Sequence, residues 1–217
     1  MNAAPSTYTP REELANAVTH GLGIALSLAG LVLLVVVSSL HGDVWSITSS
    51  AVFGATLVAL YTSSTLYHSF HDVALKHLLR KFDHAAIFLL IAGTYTPFML
   101  VSLRGPWGWS LLGVIWGLAV VGVALKFWFT GRFRALSTAI YIAMGWLVMN
   151  ALRPMLLAVP AGGLWLLLAG GLCYTGGTVF YVWKKLPYHH ALWHLFVLGG
   201  SICHWAAIFG YVLPRTT

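Results

Sequence analysis

The run GLGIALSLAGLVLLVVVSSL, residues 21–40, holds twenty residues and not one charge. At ~1.5 Å rise per residue a helix of that length covers about 30 Å, the thickness of a bilayer's hydrocarbon core. Extended back to residue 14, it is the first of seven such stretches, the others falling at about 46–67, 84–103, 108–128, 136–157, 161–183 and 191–212. They consume nearly all of a 217-residue chain that is 59% hydrophobic and only 8% charged. The sequence therefore predicts an all-α integral membrane protein: one seven-helix transmembrane bundle over residues 13–213, with a short polar tail at 1–12 and no soluble domain. The tail, MNAAPSTYTP, lacks the basic region and cleavage site of a signal peptide, so the first helix is read as retained. Cys173 and Cys203 fall inside spans and read as packing residues.

Orientation follows from the twelve Lys and Arg, because short loops rich in positive charge stay cytoplasmic. Arg11, Lys76, Arg80, Lys81, Lys126, Arg132, Arg134, Lys184 and Lys185 gather on one side, against Arg104, Arg153 and Arg215 on the other. The N-terminus is thus expected in the cytoplasm and the C-terminus outside. The basic excess serves topology and anionic headgroups, which sets nucleic-acid binding aside. Trp45, Trp107, Trp109, Trp128, Trp165 and Trp183 lie near span ends, as an interfacial belt would. The outer connections are very short, so no protein hormone is expected as a partner; membrane lipids are.

That topology sorts the polar residues by depth. EELANAVTH (12–20) brings Glu13, Asn16 and His20 to the cytoplasmic end, STLYH (64–68) brings Ser64 and His68, and FDHAAIF (82–88) opens the third helix with Asp83 at its mouth. The seventh helix starts at the same end with His190 and His194, about 6 Å apart on one face. Two ligands of one metal ion need that spacing. Singly, His20, His71, His77, His84 and His189 read as packing or interfacial residues. Glu13 also reads as a first-turn acid favoured by the helix dipole, Asp83 as an N-cap, and Ser64 as a hydroxyl bonded to its own backbone. His204 shares the ligand face about 15 Å deeper than His194, lining a cavity or packed against a neighbour. Pro97 is expected to loosen the third helix near its middle, and the glycines of LAGGLCYTGG (168–177) to admit close helix packing.

The coincidence of His68, His190 and His194 at one depth, with acids nearby, points to a metal site, since ionisable groups in a membrane are costly and mark function. Three imidazoles suit zinc, and a fourth open position is the signature of a catalytic site. Asp83 is then placed to accept a proton and Ser64 to orient a water or a substrate carbonyl.

The blocks EELANAVTH, SSTLYHSF (63–70), KFDHAAIFLLIAGTYTPF (81–98) and HHALWHLF (189–196) resemble those of the progestin and adipoQ receptor family, in its bacterial hemolysin III branch. The resemblance runs from about Glu12 to Tyr211. It implies seven helices with the N-terminus inside, zinc near the cytoplasmic face held by His68, His190 and His194, and Asp83 and Ser64 beside the water at the zinc. It also implies a place in the bacterial inner membrane, and kinship to a superfamily, including alkaline ceramidases, of hydrolases acting on lipid amide bonds. Glu13 and Asn16 match the motif and are read as support for the ligands. The long cytoplasmic region of the animal adiponectin receptors has no counterpart here, so a receptor role is not carried over. Three functions follow for test: a zinc-dependent hydrolase of lipid amides or esters, a membrane-permeabilising channel, and a non-catalytic regulator of membrane composition or energetics. A pore would need a continuous polar lining, whereas the ionisable residues crowd one leaflet.

Overall fold

A computed structural model of the chain describes residues 8–129 and 134–213. Of the charges counted above, Arg132, Arg215 and the side chain of Arg134 lie outside them. Helix α1 (Pro10–His41) opens with a capping box between Thr9 and Glu12, α2 (Val44–Ser69) with Asp43 as its cap, and α3 (Val73–Pro97) with Asp72. Helix α4 covers Pro106–Phe129. The next crossing is α5 (Arg134–Gly145), a 3₁₀ segment (Trp146–Ala151) and α6 (Leu152–Ala158); α7 (Ala161–Val182) and α8 (His189–Ala207) complete the chain. Seven crossings are long and apolar enough to span a bilayer, and no strand occurs among the described residues.

Three local features differ from the sequence reading. The third crossing begins at Val73 rather than near residue 84, because the charged KHLLRK stretch is helical too. Asp72 caps it, accepting from the Leu75 N–H at 2.8 Å. Asp83 is therefore no cap; it sits well inside α3. For the same reason Pro97 lies at the far end of its helix rather than near the middle. There the backbone widens into a π turn, Phe98–Ser102, closed by a Leu103 N–H to Phe98 carbonyl bond of 2.8 Å. The third difference is the break in the fifth crossing. The Tyr95 hydroxyl donates to the Met144 and Gly145 carbonyls at 2.8 and 2.9 Å, and accepts from the Val148 N–H at 2.8 Å. It supplies hydrogen bonds that a regular helix would have made along its own axis, and the 3₁₀ turn results.

Helix α1 packs on α2, α2 on α3, α3 on α4 and α7 on α8, with α1 against α2 and α7 against α8 the most extensive pairs, α5 set against α3 and α7, and α8 closing back onto α1. Each helix turns a narrow buried face inward: on α1 it reads Glu13, Asn16, His20, Gly23, Ser27, Gly30, Leu34 and Ser38, every third or fourth residue. Phe53, Tyr61, Phe88, Met99, Ile115 and Ile208 fill the centre. The small residues of α7 do admit close packing, since a side chain at Gly170 would collide with the His204 ring and one at Gly177 with Phe196 and Trp193. Trp107, Trp109, Trp128, Trp165 and Trp183 are exposed on the outer surface, while Trp45 is half-buried. Both cysteines are free.

Candidate metal centre

The inward face of α1 delivers Glu13 and Asn16 to the end of the bundle where α2 finishes and α8 starts. Ser64 and His68 share one face of α2, a turn apart, and His190 and His194 share one face of α8. The chain enters α8 through Tyr188, whose φ of 55° is strained for a residue with a side chain. Its N–H is taken by the Glu12 carboxylate at 3.1 Å, which fixes the sharp turn in front of the histidines.

His68, His190 and His194 are all buried, and each offers a ring nitrogen within 4.8 Å of the other two. Their ring centroids lie 5.0, 5.1 and 4.5 Å apart. Two of the rings have a defined tautomer. His68 Nδ1 lies 2.6 Å from the Glu13 carboxylate, which can only accept, so the proton sits on Nδ1 and the lone pair on Nε2. That Nε2 is buried with no protein partner. His194 Nδ1 faces the Asn16 carbonyl at 3.2 Å, with the Thr19 hydroxyl at 3.2 Å, so its Nε2 also carries a lone pair. Imidazoles whose far nitrogen is held by a carboxylate or a carbonyl are the usual form of metal-bound histidine. The donor set fits a zinc-like ion, by the chemistry of three neutral imidazoles and by a buried lone pair that the protein leaves unmatched.

Behind these three imidazoles Glu13 does more than face a helix dipole. It is 4% exposed, and its second oxygen pairs with the Lys76 ammonium at 2.9 Å. Asn16 is fully buried, with its amide nitrogen 3.4 Å from His68 Nδ1. His20 stands apart from the triad but stacks on His194, centroids 3.5 Å apart and nearly parallel, and meets Tyr61 edge-on. His189 turns away to the Phe180 carbonyl at 3.0 Å, His84 bonds the Arg80 carbonyl at 2.8 Å, and His71 and His77 are exposed.

A cavity of about 150 Å³ opens beside the triad, walled mainly by apolar side chains of α3, α5, α7 and α8. Its polar lining includes Ser64, Asp83, His20, His190, His194 and, at the deep end, His204. Ser64 departs from its blander reading. Its neighbour Ser63 bonds the Leu60 carbonyl at 3.0 Å, but the Ser64 hydroxyl is buried and makes no such bond. Asp83 is half-buried on the same wall, 3.4 Å from His84 Nδ1, and is not one of the three converging groups. His204 both lines the cavity and bonds the Leu167 carbonyl at 3.2 Å. Sequence reasoning reads Lys76 only as a topology-setting charge and does not single out Thr19 or Tyr8. Thr19 had a signal, one turn beyond Asn16 on the polar face of α1; Tyr8, in a tail of no obvious pattern, had none.

A family model described as haemolysin-III related matches residues 8–205. The chain belongs to the haemolysin III family. It is a multi-pass membrane protein, 48% identical over 211 residues to hemolysin-3 of Bacillus cereus, covering 97% of this chain and 96% of that protein. The hemolysin-3 homolog of Bacillus subtilis is 48% identical over 206 residues, 95% of each chain. More distant is the human monocyte to macrophage differentiation factor, of the progestin and adipoQ receptor type, 29% identical over 222 residues that cover 98% of this chain and 88% of that one. The family resemblance read from the four sequence blocks is thereby met along nearly the whole haemolysin III chain.

Proposed function

We propose that this haemolysin III protein is a zinc-dependent hydrolase of lipid amide or ester bonds in the bacterial inner membrane. The observation that carries the reading is the meeting of three buried imidazoles with a mostly apolar cavity that also presents Ser64 and Asp83. Zinc held by His68, His190 and His194 would supply Lewis acidity toward a carbonyl and make water a usable nucleophile near neutral pH. The chain's own groups do the rest. Glu13 and the Asn16 carbonyl hold two ligand rings in the tautomer that binds metal. Asp83 takes the proton released as water attacks, and the Ser64 hydroxyl, having no internal partner, orients the water or the scissile carbonyl. The apolar wall receives the lipid and keeps bulk water out.

The same reading puts the N-terminus and the metal centre at the cytoplasmic face and the C-terminus outside, on the strength of the positive charge at that end. Elemental analysis of detergent-purified protein tests the centre, with wild type compared to His68→Ala and His194→Ala. One zinc per chain, lost in both variants, followed by release of fatty acid from lipid amides or esters, is the expected result. Zinc retained in both variants overturns the site; zinc without turnover on any amide or ester leaves a non-catalytic regulator.

A further inference from the structure

Two of the three ligand rings are oriented by hydrogen bonds, and the third is not. His68 is held by Glu13 and His194 by the Asn16 carbonyl, but His190 Nδ1 is buried without a partner. What lies on the His190 ring instead is Tyr8, stacked with centroids 5.1 Å apart and planes 28° from parallel. Tyr181, another aromatic neighbour, is farther away and tilted, at 6.0 Å and 46°. Tyr8 also approaches His189 at 5.7 Å and His68 at 6.0 Å, so it covers the face of the triad at the start of α1 and α8.

Tyr8 does not reach this place on a loose tail. The next residue, Thr9, caps α1, its N–H and hydroxyl meeting one oxygen of Glu12 at 2.8 and 2.9 Å. The other oxygen of Glu12 accepts the Tyr188 N–H, two residues before His190. One carboxylate thus clamps the start of α1 to the start of α8, and the clamp brings Tyr8 over the ring.

We propose that Tyr8 is a positioning residue for the metal centre, its ring holding the one ligand imidazole that no hydrogen bond orients. The proposal rests on the reading of His68, His190 and His194 as metal ligands. A flat aromatic face restricts the rotation of His190 about its side-chain bonds, so less freedom is lost when the ring meets a metal. Hydrogen-bonded groups that orient ligand histidines typically change metal affinity by about 10–100-fold, and a stacked ring that holds without a hydrogen bond is expected at the low end of that range.

The test is titration of the full-length, metal-free protein in detergent with Co²⁺, read by the visible absorption of the bound ion, for wild type, Tyr8→Ala and Tyr8→Phe. Tyr8→Ala is expected to weaken Co²⁺ about tenfold and to alter the band shape, while Tyr8→Phe keeps both, because the ring and not the hydroxyl does the holding. Wild-type affinity and spectrum in Tyr8→Ala, or equal loss in both variants, overturns the proposal. Tyr8→Leu replaces Tyr8→Ala if that variant does not fold. Should wild type itself take up no Co²⁺, the metal reading fails, and Tyr8 is judged in the metal-free protein by diethyl pyrocarbonate labelling. His190 should then label several-fold faster, relative to His194, in Tyr8→Ala; an unchanged ratio overturns the proposal.

Discussion

Helices α1 and α2 run side by side, and their two ends treat buried polar groups in opposite ways. At the end where they are joined, Ser38 and Ser50 bond each other at 2.8 Å, Ser46 bonds the Asp43 carboxylate at 3.0 Å, and Ser49 bonds the Ser46 carbonyl at 3.2 Å. All four serines are at most 1% exposed and every hydroxyl is matched. At the other end the same two helices, with α8, leave unmatched the side-chain amide oxygen of Asn16, both His20 nitrogens, the Ser64 and Thr65 hydroxyls, His68 Nε2 and His190 Nδ1. Native proteins match nearly all buried polar atoms, and the cost of failing is greater in a membrane, where no solvent stands in. One end is therefore structural glue, and the other presents buried donors and acceptors, among them three imidazoles that could hold a metal ion.

The contrast is sharpest for catalysis. On the proposed hydrolysis, Asp83→Asn keeps the shape and removes the proposed proton acceptor, so metal content should be unchanged while lipid hydrolysis falls by ~10²–10⁴-fold, the usual contribution of a general base. Turnover measured beside zinc content separates the two effects, and undiminished turnover removes Asp83 from the mechanism. A smaller effect is expected from Glu13→Gln, which leaves the three histidines in place but weakens the hold on His68 Nδ1 and removes the negative charge facing Lys76. Zinc affinity should fall about 10–100-fold by competition with a chelator. Equal affinity would reduce Glu13 to a structural partner of Lys76 and merge the two ends of the helices into one kind.

How far this was legible in the sequence depends on how local each feature is. The seven crossings are written in runs of apolar residues, and the ligand pair on α8 in a one-turn spacing. His68 joins them through topology alone. Features set by distant contacts were not readable. The charges of KHLLRK end an apolar run without ending a helix, so α3 looked shorter than it is and Asp83 looked like a cap. The break after Gly145 is made by a hydroxyl on α3, from Tyr95, and nothing in MGWLVMN announces it. The motif marks Glu13 and Asn16 as support for the histidines, but which ring each holds emerges only when α1, α2 and α8 are packed together. That Ser64 lacks a back-bond while Ser63 has one depends on rotamers that spacing does not encode.

At the glue end the effects should be smaller. Ser50→Ala strands the Ser38 hydroxyl, and an interhelical hydrogen bond in a membrane protein averages about 0.6 kcal/mol. A thermal midpoint lowered by a degree or two, with zinc content untouched, is the expected outcome; loss of zinc would show that the two ends are coupled along the helices.

The smallest effect belongs to Asp43, which lies between the first two crossings. The Ser46 N–H at 2.9 Å, with further help from Arg104 at 2.9 Å, lowers its pKa from an ordinary 3.8 to about 2. A carboxylate depressed on folding contributes stability that is complete above its ordinary pKa and is lost as pH falls through the folded value. The contribution is therefore full at pH 7 and at pH 5, and fades from about pH 4 down to about pH 2. The group is exposed and half-screened, so the size stays below that of Ser50→Ala. Asn at this position still caps α2 but cannot pair with Arg104 or titrate. The stability gap between wild type and Asp43→Asn should thus be flat from pH 7 to pH 5 and close as the pH approaches 2. A gap that instead widens on acidification would mean that the capping carboxylate is protonated more readily in the folded protein than in the unfolded chain, against the hydrogen bonds that hold it.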